Sequence, residues 1–301
     1  WYITEFGEKD HGFSFFQTIE DVAISIRQGS DLVFTCSKAV AQDLFPADEN
    51  VEILYCVPKV NSNLNDENNY FSVESSLRIA ILGAVKINKG QEDIIHAVIS
   101  LLKSGFLVEL VIAGGADIEY RNKLEKMIDD AGASRFIRFL GFLTEPSGLI
   151  NAAEIIVSCS RYEAFGRTPV EAMFLSKPTI VPNIGGSVEY VQHGETSFFY
   201  SPGNVEELTA CIKHFIDNPS LKRLMGANGK IAAKQLFTKD VFSVKVVKKL
   251  KDLKGRKSNA LMPEILRTYT AEKTLMIKRR NDICSCGSGK RFKHCHGRIS
   301  I

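Results

Sequence analysis

Between residues 78 and 200, short apolar runs alternate with segments of helical period, and this order narrows the choice of fold more than any other feature of the chain. Residues 77–82, 107–113, 137–140, 155–158 and 179–181 read as strands, the order expected of a parallel sheet covered on both faces by helices. Ile94, Ile95, Val98, Leu101 and Leu102 recur at helical spacing between the first two strands, with Glu92 and Asp93 in a first turn where the helix dipole favours anions. The next helix carries Tyr120, Leu124, Met127 and Ile128. Further on, Leu208, Cys211, Ile212 and Phe215 form one apolar stripe, and Leu221, Leu224 and Met225 another, closing the far side. One complete Rossmann-like α/β domain, residues 76–240, accounts for all of this.

Upstream, residues 32–36 and 51–57 look like strands separated by a short helix near 38–44, and 61–76, rich in Asn and Ser, reads as a linker. Fewer than 80 residues are too few for a full α/β domain, so residues 1–75 are expected to be the carboxyl-terminal part of a second Rossmann-like domain. Trp at position 1 fits a start inside a longer protein. With 45% hydrophobic and 24% charged residues, a disordered or fibrous chain is excluded. No apolar run approaches the roughly 20 residues that span a bilayer, so no transmembrane segment is expected.

The net charge of +3 hides an asymmetry. From Lys245 onward there are 16 Lys and Arg against 4 Asp and Glu, whereas residues 1–244 hold 22 and 31. A Lys-rich stretch, 245–257, reads as a helix leaving the globular body, within a basic linker over 241–280. Such a tail attracts phosphate-bearing partners or an anionic membrane surface, or is simply a solvated face. Cys36, Cys56, Cys159 and Cys211 are scattered singly, as buried thiols in a reducing compartment are. A cytoplasmic location, with peripheral contact to a membrane through the tail, follows as the expectation.

The most informative stretch is RYEAFGRTPVEAMFLSKP, residues 161–178, after the strand at 155–158. Thr168 suits an N-cap, Pro169 the first helical position and Glu171 the third, so a helix is predicted to start there. Its amino terminus would emerge at the carboxyl end of a parallel sheet, where unpaired amides and the helix dipole attract a diphosphate, and Gly166 would let the backbone come close. Glu163 and Glu171 lie eight positions apart. A carboxylate beside a sugar accepts hydroxyl hydrogen bonds and stabilises positive charge at an anomeric carbon. Glu171 reads equally well as the capping-box partner of Thr168, and Glu163 as a solvated loop acid. ILGAVKINKGQ, residues 81–91, brings Lys86 and Lys89 to the same sheet edge, and NIGGS at 183–187 offers Gly185 and Gly186, either as exposed amides or as a plain tight turn.

In the order LGAVKINKG, LVIAGG, IRFLGFL, EAFGRTPVE, PTIVPNIGG and HGETSFFYSPGN, these segments resemble family 4 of the retaining glycosyltransferases, from about residue 31 to 237. The resemblance implies a GT-B fold of two Rossmann-like domains and transfer of a sugar from a nucleotide-diphosphate donor to an acceptor with retention at the anomeric carbon. It makes Glu163 the carboxylate at the donor sugar, Glu171 the partner of the ribose hydroxyls and Lys89 the diphosphate lysine. Phe165, Gly166, Arg167 and Thr168 become the loop and helix start under the phosphates, and Gly185 and Gly186 the glycine pair near the sugar. No metal is expected for the transfer. The family commonly carries Arg where this chain has Ala84, which leaves Lys86 as the substitute and predicts weaker donor binding. The competing reading is a non-catalytic sugar-nucleotide sensor or adaptor.

At the carboxyl end, CSCGSGKRFKHCHG, residues 284–297, gathers three thiols and an imidazole, a donor set suited to tetrahedral zinc. It resembles the SEC-C motif, with Cys284, Cys286, Cys295 and His296 at the ligand positions and a GSGK core at 287–290. The resemblance implies a small structural zinc module over 281–301 that folds when metal binds. Its basic flank suggests contact with a protein or nucleic acid.

Overall fold

The computed structural model describes residues 1–6, 18–46, 51–61 and 69–253. Two parallel sheets organise them. The smaller has three strands in the order β1 (Tyr2–Ile3), β2 (Val33–Thr35), β3 (Val51–Ile53), flanked by α1 (Ile19–Gln28) and α2 (Lys38–Leu44). The larger contains β4 (Leu77–Leu82), β5 (Val108–Ala113), β6 (Ile137–Gly141), β7 (Ile155–Val157), β8 (Thr179–Pro182) and β9 (Ser197–Tyr200), in the spatial order β6-β5-β4-β7-β8-β9. Among the described residues no helix is long and apolar enough to cross a membrane.

The apolar runs became strands because both faces of this sheet are covered. Ile79, Ala80, Leu110, Val111, Ile155 and Ile156 are wholly buried, and burying a side chain such as Ile or Leu is worth about 1.5–3 kcal/mol. Helix α3 (Gln91–Lys103) buries Ile94, Ile95, Val98 and Leu101 against one face, and α4 (Ile118–Asp130), capped by Asp117 at the Tyr120 amide, buries Leu124 and Ile128. On the opposite face α5 (Ser147–Ala152) contributes Leu149 and Ile150, with α6 (Arg167–Phe174) beside it. Helix α7 (Val205–Asp217) inserts Leu208, Ile212 and Phe215. Helix α8 (Pro219–Leu236) runs close to α6, where a Cβ on Gly226 would sit 2.0 Å from the Ser176 carbonyl oxygen.

Three expectations need correcting. The short edge strands β1 and β9 were not anticipated, and the strand read over 51–57 stops at Ile53. The Asn- and Ser-rich stretch is not wholly a linker, because Phe71 is buried among Leu149, Ile150 and Ala153, and the amides of Ser72 and Val73 bond to Glu109 at 2.8–2.9 Å. Its residues 62–68 lie outside the described residues. Over its described residues the basic helix does not leave the body: α9 (Lys239–Leu253) starts six residues earlier, sets Phe242 edge-on to Tyr2 with ring centroids 6.2 Å apart, and pairs Lys249 with Glu52, while residues 254–280 of the expected helix and linker lie outside the described residues.

The two sheets are joined by a shared core in which Cys36 and Val40 from the small sheet meet Ala164, Phe165, Tyr190 and Phe237 from the large one. Glu189 closes the seam. Its carboxylate accepts the amides of Lys38 and Ala39 at 2.9 Å, at the amino terminus of α2, and the Tyr55 hydroxyl at 3.1 Å. Burial and that carboxylate push the Tyr55 phenol up to about 12.

Candidate active site

In the larger sheet β4 pairs with β5 on one side and β7 on the other, so the chain reverses its direction of winding between β4 and β7. The loops leaving those two strands diverge, and open α/β sheets bind ligands in the crevice this creates. A cavity of about 470 Å³ lies there, walled by residues 81–84 at and beyond the end of β4, 158–160 after β7, the loop and helix start over 162–169, and Thr4, Glu5 and Cys56 from the segments that follow β1 and β3.

Two loops meet across this cavity. After β4 a short 3-10 turn, Ile87–Lys89, presents Lys89, whose Nζ lies 3.8 Å from Glu163 Oε2 with both side chains mostly shielded from solvent. The loops are held in register behind that pair. Arg161 donates its amide to the Asn88 carbonyl at 2.8 Å, and its guanidinium grips Asp93 bidentately, one of the two bonds at 2.6 Å. Asp93 also accepts the Gly203 amide at 3.0 Å. Hydrogen bonding to Asp93 raises the Arg161 guanidinium further above its ordinary value, against burial. Asp93, 3% exposed, is thus far more than the first-turn acid that sequence suggests.

The start of α6 differs from the capping pattern. Gly166, not Thr168, is the N-cap, in a left-handed conformation (φ 85°) that a side chain resists. A Cβ there would also lie 2.7 Å from the Tyr190 hydroxyl, which sits 2.9 and 2.8 Å from the Phe165 and Gly166 carbonyl oxygens. Thr168 is the second helical residue and reaches the Leu82 carbonyl at 3.4 Å, so Glu171 is not its capping-box partner. No side chain caps α6, and Arg167 at its first position stands exposed on the cavity wall. Burial raises the Glu171 carboxyl above its usual range, with Arg167 opposing.

Phe165 borders the cavity but is itself almost wholly buried. Its ring is buried, 5.9 Å from the Tyr55 ring and 5.6 Å from that of Phe237. The glycine pair buttresses the same loop from behind. The Gly186 amide donates to the Glu163 carbonyl at 2.8 Å, and a Cβ on Gly185 (φ 63°) would fall 2.0 Å from that oxygen. A side chain at Gly185 would displace Glu163, and one at Gly186 would meet the Ala164 carbonyl oxygen at 2.3 Å.

Lys86 is not brought in: it is exposed and does not line the cavity. Gln91, unremarked in the sequence, does line it. Its Nε2 holds the Ala84 carbonyl at 2.8 Å, and its buried Oε1 has no hydrogen-bond partner among the described residues. Cys284, Cys286, Cys295 and His296 lie outside the described residues.

Known proteins are similar to this chain in sequence and in fold. Alpha-1,3/1,6-mannosyltransferase ALG2 of Homo sapiens is 31% identical over 144 residues, covering 45% of this chain and 34% of that protein. MMP alpha-(1->4)-mannosyltransferase of Mycolicibacterium hassiacum is 32% identical over 163 residues, 53% of this chain and 39% of that one. The matches therefore span well under half of these relatives' own length. Among solved structures, Anabaena HepE in complex with UDP-glucose superposes with a TM-score of 0.70 at 23% identity, covering 84% of this chain and 71% of that one. A glycosyltransferase from Rickettsia africae gives 0.70 at 21% identity, covering 81% and 69%. The fold is of the GT-B type anticipated from sequence. The SEC-C motif matches residues 280–298. With the family of glycosyl transferases group 1 matching residues 64–232, more than half of its length, the chain belongs to that family.

Proposed function

We propose that this chain is the donor-binding part of a retaining glycosyltransferase of family 4, moving a sugar from a nucleotide-diphosphate donor to an acceptor whose chemistry these residues do not define. The observation that carries the reading is the convergence of Lys89, Glu163 and the uncapped start of α6 on one cavity at the reversal point of the sheet. A diphosphate fits the helix terminus, because first-turn amides and the dipole favour anions. Lys89 neutralises the charge that grows on the leaving diphosphate. Glu163, held by the Gly185–Gly186 turn, stabilises the positive charge that develops at the anomeric carbon. The half-buried Glu171 carboxyl, which does not itself line that cavity, is assigned to the ribose hydroxyls on the family resemblance. The complex of Anabaena HepE with UDP-glucose gives a fold neighbour with such a donor.

Where the family's usual arginine is Ala84, the compensating cation in this reading is Arg167 and not Lys86, since Arg167 alone of the two lines the cavity. Isothermal titration with a panel of nucleoside diphosphates tests this. Lys89→Ala is expected to weaken the best binder by about 1.5–3 kcal/mol, roughly 10- to 150-fold in Kd, and Arg167→Ala to weaken it comparably, while Lys86→Ala leaves it within about twofold. Unchanged affinity in Lys89→Ala would remove the diphosphate from this cavity.

We also assign a structural zinc to Cys284, Cys286, Cys295 and His296, on the SEC-C match and on the chemistry of three thiolates with one imidazole. Zinc analysis of the purified protein is expected to find about one ion per chain, lost in Cys286→Ala. Equal, near-zero contents would remove the site.

A further inference from the structure

Tyr190 follows the 3-10 turn Gly185–Glu189 and is buried, its ring centroid 5.4 Å from that of Phe165 and 5.3 Å from that of Phe237. It does not line the cavity. Its hydroxyl lies 2.9 Å from the Phe165 carbonyl oxygen and 2.8 Å from that of Gly166, so a single O–H is shared between two successive peptide units. Burial, with the Glu163 and Glu189 carboxylates nearby, holds the phenol well above its ordinary range and keeps that proton in place.

In a planar trans peptide the N–H and the C=O point in opposite directions. Two carbonyls turned onto Tyr190 therefore send the amides of Gly166 and Arg167 the other way, toward the cavity that both residues line. Neither amide donates to a protein acceptor among the described residues. Gly166 supplies the left-handed turn (φ 85°, ψ 71°) that lets successive amides converge, and such a concave set at a helix start is a seat for an anion. The same glycine is also the weak point, because a residue that tolerates both signs of φ lets the peptide before it flip. A flip would turn the Phe165 carbonyl oxygen onto the anion, where like charges repel. The shared hydroxyl opposes that flip from the far side.

We propose that Tyr190 is a positioning residue for the donor's diphosphate: its hydroxyl holds two carbonyls back so that the Gly166 and Arg167 amides stay aimed at phosphate oxygens. This role rests on a donor diphosphate in the cavity, as proposed above, and Tyr190 itself touches no substrate. The turn before it also fixes Glu163, whose carbonyl accepts the Gly186 amide at 2.8 Å, so the phosphate and sugar ends of the site share one support.

Tyr190→Phe deletes only the hydroxyl and keeps the ring against Phe165 and Phe237. Titration calorimetry with the nucleoside diphosphate that wild type binds best is expected to show about 3- to 10-fold weaker binding in the variant, the weight of one buried hydrogen bond. A thermal scan on the same sample confirms that the variant is folded at the titration temperature, where a purely structural loss leaves the affinity of the folded chain unchanged. Hydrogen exchange over residues 163–168, read by mass spectrometry, needs no variant for its first arm. In wild type the diphosphate should slow exchange there, and in Tyr190→Phe the protection should be smaller. Wild type that binds no diphosphate of the panel sinks the donor reading and this role together. Wild-type binding matched by Tyr190→Phe within about 1.5-fold, or a bound diphosphate that leaves exchange over 163–168 unchanged in wild type, overturns the role of Tyr190 alone and leaves the diphosphate to the Lys89 and Arg167 side chains.

Discussion

Replacing Glu163 by Gln is expected to cut turnover of a nucleotide sugar by about 10²- to 10³-fold, the usual cost of removing one charge-stabilising group at a reacting centre. The substitution keeps the shape of the side chain and removes its negative charge where positive charge would develop. Donor affinity should move in the opposite sense. Lys89 Nζ lies 3.8 Å from the Glu163 carboxylate, so neutralising that carboxylate frees the ammonium for the diphosphate. Release of nucleoside diphosphate, with calorimetry on the same preparations, separates the two effects. Lost turnover with equal or tighter binding identifies a group acting on the transition state. Turnover within about threefold of wild type would return Glu163 to the role of a loop acid and leave the sensor reading in place.

How much of this was readable in the chain depends on how local the deciding contact is. The strand at 77–82 and the helix at 38–44 match because burial along the apolar run or a Ser37 cap defines them within a few residues. Strand β9 escaped notice because it is four residues long and opens on polar Ser197, whose hydroxyl is satisfied inside the sheet by Thr179 at 2.8 Å. The α6 boundary was misplaced for a similar reason. Thr168, Pro169 and Glu171 satisfy a local capping rule, but Tyr190, more than 20 residues on, secures the left-handed turn at Gly166. Lys86 and Lys89 look interchangeable in sequence, and only the 3-10 turn between them decides which one faces Glu163. The Arg161–Asp93 clamp joins residues 68 positions apart, and no periodicity announces it. That Glu163 lies at the cavity was legible from an ordered set of segments, although its spacing alone did not distinguish it from a solvated acid.

The largest stability effect is expected at a residue with no part in the chemistry. Glu109 points from β5 into the interior with its side chain fully buried, yet every direction around its carboxylate is occupied. It accepts the Ser72 amide at 2.9 Å on both oxygens, the Val73 amide at 2.8 Å, the Ser72 hydroxyl at 3.2 Å and the Arg138 guanidinium at 3.1 Å. Glu109→Ala strands two amides and leaves the partly buried Arg138 guanidinium only the Tyr70 carbonyl, which costs about 3–5 kcal/mol, a fifth or more of the stability of an ordinary domain. Glu109→Gln keeps an acceptor and the volume but loses the charge and one oxygen, so its cost should fall between that of Ala and zero. The exposed Lys213–Asp217 pair, one helical turn apart in α7, supplies the contrast. Breaking it with Lys213→Ala should cost no more than about 0.5 kcal/mol. Urea unfolding of the three variants orders them directly. Should Glu109→Ala unfold at the same midpoint as Lys213→Ala, the carboxylate is not what fastens the 70–76 segment to the sheet, and Phe71 packing against Leu149 and Ile150 must suffice.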